Sequence, residues 1–257
     1  MKNVMDSFSL KGKKALVVCP ERRYGIELIK GFLAAGAKVW IAGNENSYYE
    51  KMNLPIEGCF PYIPGTEAQA EALVNSVKEE MVHIDILVEN SVIETINGWE
   101  QTSIQICEQL EKTHLAMMQN VQKIGNIMAE QEKGCVLLVS DYGALVGYAP
   151  QNYKECEALK EKDFSLVRGF IQGGFVNYAR QAAGYLGEHG CRCNCIAYGP
   201  LANTTDTAFE EAYKRHSHIK RLATEEELAT AAIFLCSDAA SYITGITMAV
   251  DGGYSAK

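Results

Sequence analysis

The 257-residue sequence lacks the features that would assign it to several common protein classes. No apolar run approaches the roughly 18 to 20 residues of a membrane span, and the N terminus, MKNVMDSFSLKGKK, has no apolar core of a signal peptide. Basic residues are outnumbered by acidic ones, 24 against 32, for a formal net charge of −8. That balance disfavours nucleic acids and anionic membranes as partners, since both bind clustered Lys and Arg. We therefore expect a cytoplasmic protein.

Among the nine cysteines, no pair has the C-x-x-C spacing typical of structural zinc sites. The densest group, Cys191, Cys193 and Cys195, alternates along a predicted strand and would share one face of it. A buried strand face belongs to the core, where a free thiol behaves as a small apolar group. We predict that all three pack in the core of a protein from a reducing compartment, with no metal site.

Apolar strands alternate with amphipathic helices along the whole chain. Strands are predicted at 14–18, 38–42, 58–60, 84–88, 135–140, from 191 and at 246–250, and helices at 25–35, 66–81, 104–130, 165–186 and 224–236. This alternation requires right-handed crossovers and gives a parallel sheet with helices on both faces. The predicted fold is a doubly wound α/β Rossmann domain spanning 1–257, with an irregular charged loop at 141–164.

Several blocks of sequence resemble the short-chain dehydrogenase/reductase family over essentially the whole length. FSLKGKKALVV and IDILVEN resemble its first and fourth strands, and LAMMQNVQKIGNIMAEQEKGCVLLVS resembles its dimer-forming helix and fifth strand. YLGEHGCRCNCIAYGP and FLCSDAASYITGITMAVDGGYS resemble its closing third. The resemblance implies an NAD or NADP cofactor, a homodimer or homotetramer, and a substrate lid at about 200–222. The start of the chain and the loop after the fifth strand resemble gluconate 5-dehydrogenase and other sugar-modifying members.

The first turn, CPERRYG, departs from the family's T-G-x-x-x-G-x-G. Counting back eleven residues from Gly36 puts the third glycine at Gly25, the first at Cys19 and the second at Arg23. In the family the first glycine permits the tight turn, and the second lets backbone approach the pyrophosphate. Two interpretations remain open. In the first, Arg22 and Arg23 contact phosphate oxygens in a rearranged loop. In the second, the Arg23 side chain fills the phosphate site. We favour the second, because the family motif serves to let the backbone approach the phosphates closely.

The other cofactor positions are altered as well. The family's N-N-A-G after the fourth strand reads ENSV here, so only Asn90 is retained. Glu89 adds a negative charge near an anionic cofactor, and Val92 replaces a glycine that keeps the backbone close to it. After the second strand, Glu45 is a displaced candidate for holding an NAD ribose. Gly199, in the matching block IAYGP, is a further cofactor-binding candidate.

The family's reaction uses Asn, Ser, Tyr and Lys, and the Tyr is the acid/base whose pKa the Lys lowers. Ser140 matches the Ser, and the Asn position falls on Thr113. Counting back from Asn194 puts the Tyr position at Arg168 and the Lys position at Gln172. Neither residue can replace the original, because Arg stays protonated near neutral pH and Gln has no charge to lower a neighbour's pKa.

Tyr153 is an alternative acid/base, because it stands thirteen residues after Ser140, a spacing found in members with a short loop. Glu157 follows it at i+4, where the family has Lys, and a carboxylate would raise the pKa of a phenol. We therefore assign Tyr153 to the loop. We expect the lysines of this loop to be exposed to solvent: Lys154, Lys160 and Lys162. His114, beside Thr113, either faces the cleft or packs on its helix.

Five substitutions remove features that serve one cofactor and one reaction: Cys19, Arg23, Val92, Arg168 and Gln172. Loss of an acid/base typically lowers a rate by about 10²- to 10⁴-fold. The sequence therefore predicts little or no hydride transfer, and a protein that binds a small molecule or a protein partner such as an active paralogue. The alternative is an active NAD(P)-dependent oxidoreductase on a small alcohol, polyol or sugar-acid carbonyl, using Ser140 and a substituted acid/base.

Overall fold

Seven strands form one sheet at the centre of the computed structural model, which describes residues 4–44, 53–90, 100–147, 149–154, 166–202 and 206–256. The strands are β1 (Lys14–Val18), β2 (Lys38–Gly43), β3 (Gly58–Pro61), β4 (Ile86–Glu89), β5 (Gly134–Asp141), β6 (Cys191–Tyr198) and β7 (Thr247–Val250). Their order is β3-β2-β1-β4-β5-β6-β7, and every neighbouring pair is parallel. The predicted doubly wound α/β Rossmann domain is confirmed.

Helices cover both faces of the sheet. They are α1 (Gly25–Ala34), α2 (Glu67–Ser76), α3 (Ser103–Leu110), α4 (Ala116–Glu130), α5 (Leu166–Gly187), α6 (Thr207–His216) and α7 (Glu225–Cys236). One-turn π-helical segments follow α2 (Val77–Met81) and α3 (Glu111–Leu115), so the single helix predicted at 104–130 is two helices joined by a π turn. Among the described helices, none combines the length and apolarity of a membrane span.

Helix α6 is absent from the sequence-based prediction. Only three of its ten residues are buried (Phe209, Ala212 and Tyr213), which makes its apolar stripe too short to recognise. Asp206 caps it, accepting hydrogen bonds from the backbone N–H groups of Ala208 and Phe209 at 2.8 and 3.3 Å. The helix lies within the segment that resembles a substrate lid.

The two faces of the sheet bury separate apolar layers, as the alternation of side chains along a strand requires. Leu16 and Val18 of β1 enter the layer under α2, α4 and α5. Ala15 and Val17 enter the layer under α1 and α7. Both faces of the central strands are therefore covered, which explains their continuous apolar sequence.

The cysteines of β6 lie in the core, as predicted. Cys191, Cys193 and Cys195 are 2%, 0% and 0% exposed and belong to the layer under α5. On the opposite face of the strand, Arg192 donates from Nη1 to the carbonyl of Leu235 at 2.8 Å, near the C-terminal end of α7.

Capping sequences stand at the start of two helices, α2 and α7. The box of Thr224 and Glu227 forms reciprocally at the start of α7. The box at Thr66 forms only in half, because Thr66 Oγ1 accepts from the Gln69 N–H at 3.3 Å while Gln69 Oε1 accepts from the N–H of Ile63 at 3.2 Å. Each cap stabilises its helix by about 1 kcal/mol.

Candidate active site

The turn between β1 and α1 lies where the strand order reverses, between β1 and β4, which is where open α/β sheets bind ligands. Cys19 and Tyr24 in this turn adopt left-handed φ angles of 52° and 73°. Such a conformation costs a side-chain-bearing residue roughly 1–2 kcal/mol. Cys19, at the first glycine position, therefore takes a backbone shape that favours glycine, whereas Arg23 at the second position has no positive φ.

Gly25 begins α1 and admits no side chain. A Cβ at this position would lie 2.2 Å from the carbonyl oxygen of Pro20 and 2.6 Å from its Cα. The packing of the turn against itself thus explains why this glycine is retained. In the described structure no side chain caps the N terminus of α1, so the helix keeps first-turn N–H groups that suit an anion.

Arg23 lies beside the C-terminal end of β5. Its side chain is exposed at the carboxyl ends of the strands, where an open α/β sheet forms a crevice for ligands. Burial and the like charge of Arg168 lower the pKa of Arg23, whereas Tyr24 and Asp141 raise it. The net effect is an increase. Because the charges of Asp141 and Arg168 act on it, Arg23 is near the predicted catalytic positions as well as in the turn between β1 and α1.

Arg22 lies instead beside a buried polar group behind β4. The pKa of the Tyr62 phenol is raised by burial and by Glu89, and lowered by Asn120 and by Arg22. Asn120 donates from Nδ2 to Tyr62 Oη at 2.8 Å and to Glu89 Oε2 at 3.1 Å. Glu89 is fully buried, and the hydrogen bond from Asn120 holds its carboxyl group in place.

Asn90, the retained residue of the fourth-strand motif, supports the first turn. Its Nδ2 donates to the carbonyl of Cys19 at 3.1 Å. Its Oδ1 is buried and accepts no hydrogen bond from any residue that the structure describes. Glu45 and Val92 lie outside the described residues.

Tyr24 joins the first turn to the end of β6. Its Oη donates to the carbonyl of Gly199 at 3.1 Å, and its ring centroid lies 4.9 Å from that of Tyr198. Burial raises the pKa of Tyr24 to about 12, against the opposing effect of Arg23. Gly199, predicted to bind cofactor, therefore contacts the turn directly.

We expect replacement of Tyr24 by phenylalanine to change how stability depends on pH. The folded-state pKa of about 12 lies above the ordinary value of 10.0, so the stability that the neutral phenol contributes is complete below pH 10 and lost as the pH rises to 12. A two-unit shift corresponds to about 2–3 kcal/mol. Urea unfolding across this window should show a shallower decline for Tyr24→Phe than for the wild type. Tyr242→Phe, at a fully exposed tyrosine, is the control and should leave the slope unchanged; equal slopes in all three proteins would contradict the assignment.

Arg168 and Gln172, the residues at the family's Tyr and Lys positions, lie on α5 and contact the end of β5. Ser140 Oγ donates to Gln172 Oε1 at 2.7 Å and lies 3.2 Å from its backbone oxygen. Ser140 is fully buried and Gln172 is 1% exposed. The amide thus holds the hydroxyl that the resemblance assigns to catalysis.

Arg168 forms an ion pair that the sequence analysis missed. Its Nη2 donates to Asp141 Oδ2 at 2.6 Å, and Asp141 Oδ1 accepts from the backbone N–H of Gly143 at 2.8 Å. The Asp141 side chain is 0% exposed and that of Arg168 is 20% exposed. Burial is the largest influence and lowers the pKa of Arg168, but Asp141, Tyr142 and Tyr153 together raise it by more. The available signal was an acidic residue directly after Ser140 at a strand end.

Two phenols accompany this ion pair. The hydroxyls of Tyr142 and Tyr153 lie 3.3 Å apart, and both phenols are close enough to Arg168 to raise its pKa. Tyr153 is in a loop, as predicted, but it is buried at 6% exposure rather than solvated. It packs with Phe209 of α6 at 5.2 Å between ring centroids. Glu157, Lys160 and Lys162 lie outside the described residues.

Thr113 and His114 are directed elsewhere. Thr113 is fully buried in the π turn, and its Oγ1 donates to the carbonyl of Gln109 at 2.6 Å, so its hydroxyl serves its own helix. His114 Nε2 lies 3.0 Å from the carbonyl oxygen of Ile171, and burial lowers its pKa. His114 therefore packs between helices, the second of the two predicted placements.

Comparison with known proteins shows which family the chain belongs to. The family model described as enoyl-(acyl carrier protein) reductase matches residues 25–255. The chain belongs to the short-chain dehydrogenase/reductase family. (+)-Borneol dehydrogenase 1 of Salvia officinalis is 26% identical over 96% of this chain and 95% of its own length. The 3alpha-hydroxysteroid dehydrogenase of Mediterraneibacter gnavus is 28% identical over 95% and 97%.

Solved structures agree with the fold of this short-chain dehydrogenase/reductase. A gluconate 5-dehydrogenase from Burkholderia cenocepacia, solved with NADP and tartrate, superposes with a TM-score of 0.82 at 19% identity, over 99% of this chain and 100% of that one. The sequence relatives are named as dehydrogenases. They favour the alternative of an active oxidoreductase, and the predicted loss of activity is not supported by them.

The cofactor that this family implies is a nicotinamide dinucleotide, and the residues of the crevice fit its pyrophosphate. The N terminus of α1 is not capped by a described side chain, and the turn before it contains two basic residues, Arg22 and Arg23. The left-handed Cys19 keeps the turn tight. The buried Oδ1 of Asn90 offers an acceptor for a hydroxyl. Arg23 stands where the family motif has a glycine, so close approach of the backbone to the pyrophosphate is the feature that this turn lacks.

Proposed function

We propose that this short-chain dehydrogenase/reductase binds a nicotinamide dinucleotide and reduces the carbonyl group of a small polar compound, with the phenols of Tyr142 and Tyr153 as a substituted proton donor. The observation that carries the proposal is the meeting of two phenols, a guanidinium and Ser140 at the end of β5. The relatives named as dehydrogenases support it.

A bound nicotinamide supplies the hydride, so the protein must hold the carbonyl oxygen and deliver a proton to it. Tyr142 is the partly exposed phenol of the pair. Burial and Tyr153 raise the pKa of Tyr142 well above its ordinary value, and Arg168 acts in the opposite direction. The phenol is therefore protonated at neutral pH, which suits donation to a developing alkoxide. Oxidation of an alcohol needs the phenolate, so that direction requires alkaline pH.

Arg168 cannot exchange a proton near neutral pH, but its charge can stabilise a developing alkoxide. Asp141 holds the guanidinium at 2.6 Å, which fixes its orientation before substrate arrives. Ser140 provides a hydroxyl beside it once Gln172 gives up the 2.7 Å hydrogen bond. Arg168, Asp141 and Ser140 thus form a positively charged oxyanion site in place of the family's catalytic residues.

The lid-like segment at about 200–222 completes the proposed site. Phe209 of α6 packs on Tyr153, and Tyr213 Oη donates to the carbonyl of Asp251 at 3.0 Å. These contacts hold α6 over the phenols, where it would exclude water from the reacting carbonyl. The neighbouring loop at 141–164 contributes Tyr142 and Tyr153 to the same region.

A second function, binding without catalysis, is favoured by the mutual pairing of the four side chains. Arg168 with Asp141, and Ser140 with Gln172, form hydrogen bonds with each other. In that case the crevice would bind a small molecule or a protein partner, including a paralogue in a mixed oligomer.

Calorimetric titration with NAD⁺, NADH, NADP⁺ and NADPH separates the two functions. The oxidoreductase requires binding of at least one dinucleotide in the micromolar range, and competition between the oxidised and reduced forms for one site. Absence of binding at millimolar dinucleotide would contradict the proposal and leave the non-catalytic function.

The two interpretations of Arg23 predict opposite changes in the same titration. If its side chain fills the phosphate site, Arg23→Gly should strengthen dinucleotide binding by about tenfold, because the backbone can then approach the pyrophosphate. We expect this result. Arg22→Gly in the same turn is the matched control for loss of one charge. Weaker binding in Arg23→Gly would instead assign Arg23 to a phosphate contact.

We also propose a homodimer or homotetramer in the cytoplasm, as the family resemblance implies. Apolar side chains exposed on α4 and α5 support the assembly: Met118, Phe170 and Tyr185. Light scattering should give a mass two or four times the 28.3 kDa of one chain, and a monomer at micromolar concentration would contradict it.

A further inference from the structure

We propose that Cys135 and Cys236 form a dithiol that hydrogen peroxide oxidises to a disulfide. Cys135 is the second residue of β5, and Cys236 is the last residue of α7. Ser140 lies five residues further along β5, about 16 Å from Cys135 at the rise of a strand. The pair is therefore a modification site apart from the proposed reaction, and the inference does not depend on the proposed function.

The two cysteines meet where the end of α7 packs on the start of β5. The Sγ atom of Cys135 lies 3.5 Å from the carbonyl oxygen of Leu235, the residue directly before Cys236. Both cysteines belong to the apolar layer under α1 and α7, at 4% and 0% exposure, and both are free thiols. The two thiols also hydrogen-bond to each other. A disulfide requires side chains that already approach closely, and this pair provides them.

A guanidinium lies at the same carbonyl group. Arg192 donates from Nη1 to the carbonyl oxygen of Leu235 at 2.8 Å, so Arg192 and the Cys135 sulfur share one acceptor. The hydrogen bond from Cys236 is the largest influence on the pKa of Cys135 and lowers it. Burial raises this pKa, and the charges of Arg192 and Lys13 lower it, with a net decrease. A lower pKa gives more thiolate, which is the form that attacks an oxidant.

Cys236 has the opposite character. Burial raises the pKa of Cys236 well above its ordinary value, and Cys135 raises it further, against the charges of Arg192 and Lys13. Cys236 therefore keeps its proton and donates it to a hydrogen bond with the Cys135 sulfur. One nucleophilic sulfur beside one protonated thiol matches a peroxide-reactive cysteine with its resolving partner.

One molecule of peroxide balances the oxidation. The Cys135 thiolate attacks a peroxide oxygen: an S–O bond forms, the O–O bond breaks, and the leaving hydroxide takes up a proton to become water. The Cys236 sulfur then attacks the sulfenic acid on Cys135: an S–S bond forms, the S–O bond breaks, and the leaving hydroxide takes the Cys236 proton as a second water. Two electrons pass from the thiols to peroxide. Peroxide reaches the pair when the last turn of α7 opens, since chain segments at helix ends open at low free energy.

The test is peptide mapping by mass spectrometry after the native protein has been treated with hydrogen peroxide and its remaining thiols alkylated. We expect one pair of peptides joined through Cys135 and Cys236. Cys135→Ala should abolish the cross-link and leave Cys236 a thiol. Cys193→Ala is the matched control and should keep the cross-link, because Cys193 is equally buried on the neighbouring strand β6 and burial raises its pKa.

Cys236→Ala separates the roles of the two sulfurs. Without the resolving thiol, Cys135 should remain a sulfenic acid, which a 1,3-dione reagent labels. This readout does not require Cys135→Ala to fold.

Thermal unfolding gives a readout of the cross-link in the folded protein. The disulfide closes a loop of about 100 residues, which disfavours the unfolded chain. We expect the midpoint of unfolding of the oxidised protein to rise by about 5 °C or more, and dithiothreitol to reverse the rise. Cys135→Ala should show no such rise after peroxide.

Three results would overturn the inference. In the first, Cys135 and Cys236 stay alkylatable while peroxide oxidises the exposed Cys107. In the second, the cross-link joins other cysteines. In the third, Cys135 and Cys236 become joined only after the protein has been unfolded in urea, so that the folded structure does not bring them together for oxidation.

Discussion

Replacing Tyr142 with phenylalanine is expected to lower the rate of carbonyl reduction by about 10²- to 10⁴-fold, the range for loss of a positioned acid. The substitution removes the hydroxyl that lies 3.3 Å from that of Tyr153 and keeps the ring that packs on Tyr213 and Tyr254. Because the ring remains, we expect little change in the affinity for dinucleotide. Initial rates at saturating dinucleotide measure the effect.

Tyr254→Phe is the matched control for that substitution. Tyr254 belongs to the same aromatic cluster, but its hydroxyl accepts from Asn152 Nδ2 at 2.8 Å rather than from the phenol pair. Loss of the Tyr254 hydroxyl should lower the rate of carbonyl reduction by less than tenfold. Similar losses in Tyr142→Phe and Tyr254→Phe would show that the cluster has only a packing role.

The pH profile gives a second measure of the same acid. Because burial raises the pKa of Tyr142 well above its ordinary value, the donor is protonated throughout the neutral range and becomes depleted only at strongly alkaline pH. The rate of reduction should therefore be flat around pH 7 and fall at the alkaline end, while the rate of alcohol oxidation rises there. A reduction rate that falls between about pH 6 and 8 would point to histidine instead.

Replacing Arg168 with methionine is expected to reduce the free energy of unfolding by about 3 kcal/mol, because the carboxylate of Asp141 is then buried without its partner. The value is at the low end for a broken buried pair, since the Arg168 side chain is 20% exposed and water partly screens it. Urea or thermal unfolding of the purified variant measures the change.

The double variant Arg168→Met with Asp141→Leu is the informative control. Removing both charges eliminates the unpaired carboxylate, so the double variant should be more stable than Arg168→Met alone, despite losing the Gly143 contact of Asp141. A double variant less stable than the single one would mean that Asp141 stabilises the turn mainly through the backbone.

The fold was predictable because it depends on local patterns. The apolar stretches of β1 and β5 and the capping sequence at Thr224 are visible without knowledge of distant residues. The places of Arg168 and Gln172 were also predictable by counting along one uninterrupted helix, and Gln172 does contact Ser140. The prediction of the fold depends on periodicity, which a single sequence shows, whereas the positions of Arg168 and Gln172 depend on the family resemblance.

The pairing of side chains was not predictable. The ion pair of Arg168 with Asp141 joins residues 27 positions apart and depends on how α5 docks on β5. The meeting of Tyr142 with Tyr153 depends on the path of the loop between them and on packing against α6. A family motif assigns roles to positions, whereas a substituted position takes its chemistry from neighbours that only the fold brings together.

The most direct test of the account is protein-dependent oxidation of NADH or NADPH with a panel of ketoses, oxo acids and cyclic ketones, measured for the wild type and for Tyr142→Phe. The account predicts sustained turnover of at least one carbonyl compound by the wild type, and a loss of about 10²- to 10⁴-fold in the variant. No turnover of any carbonyl by a protein that binds the dinucleotide, or equal turnover by the two proteins, would contradict it.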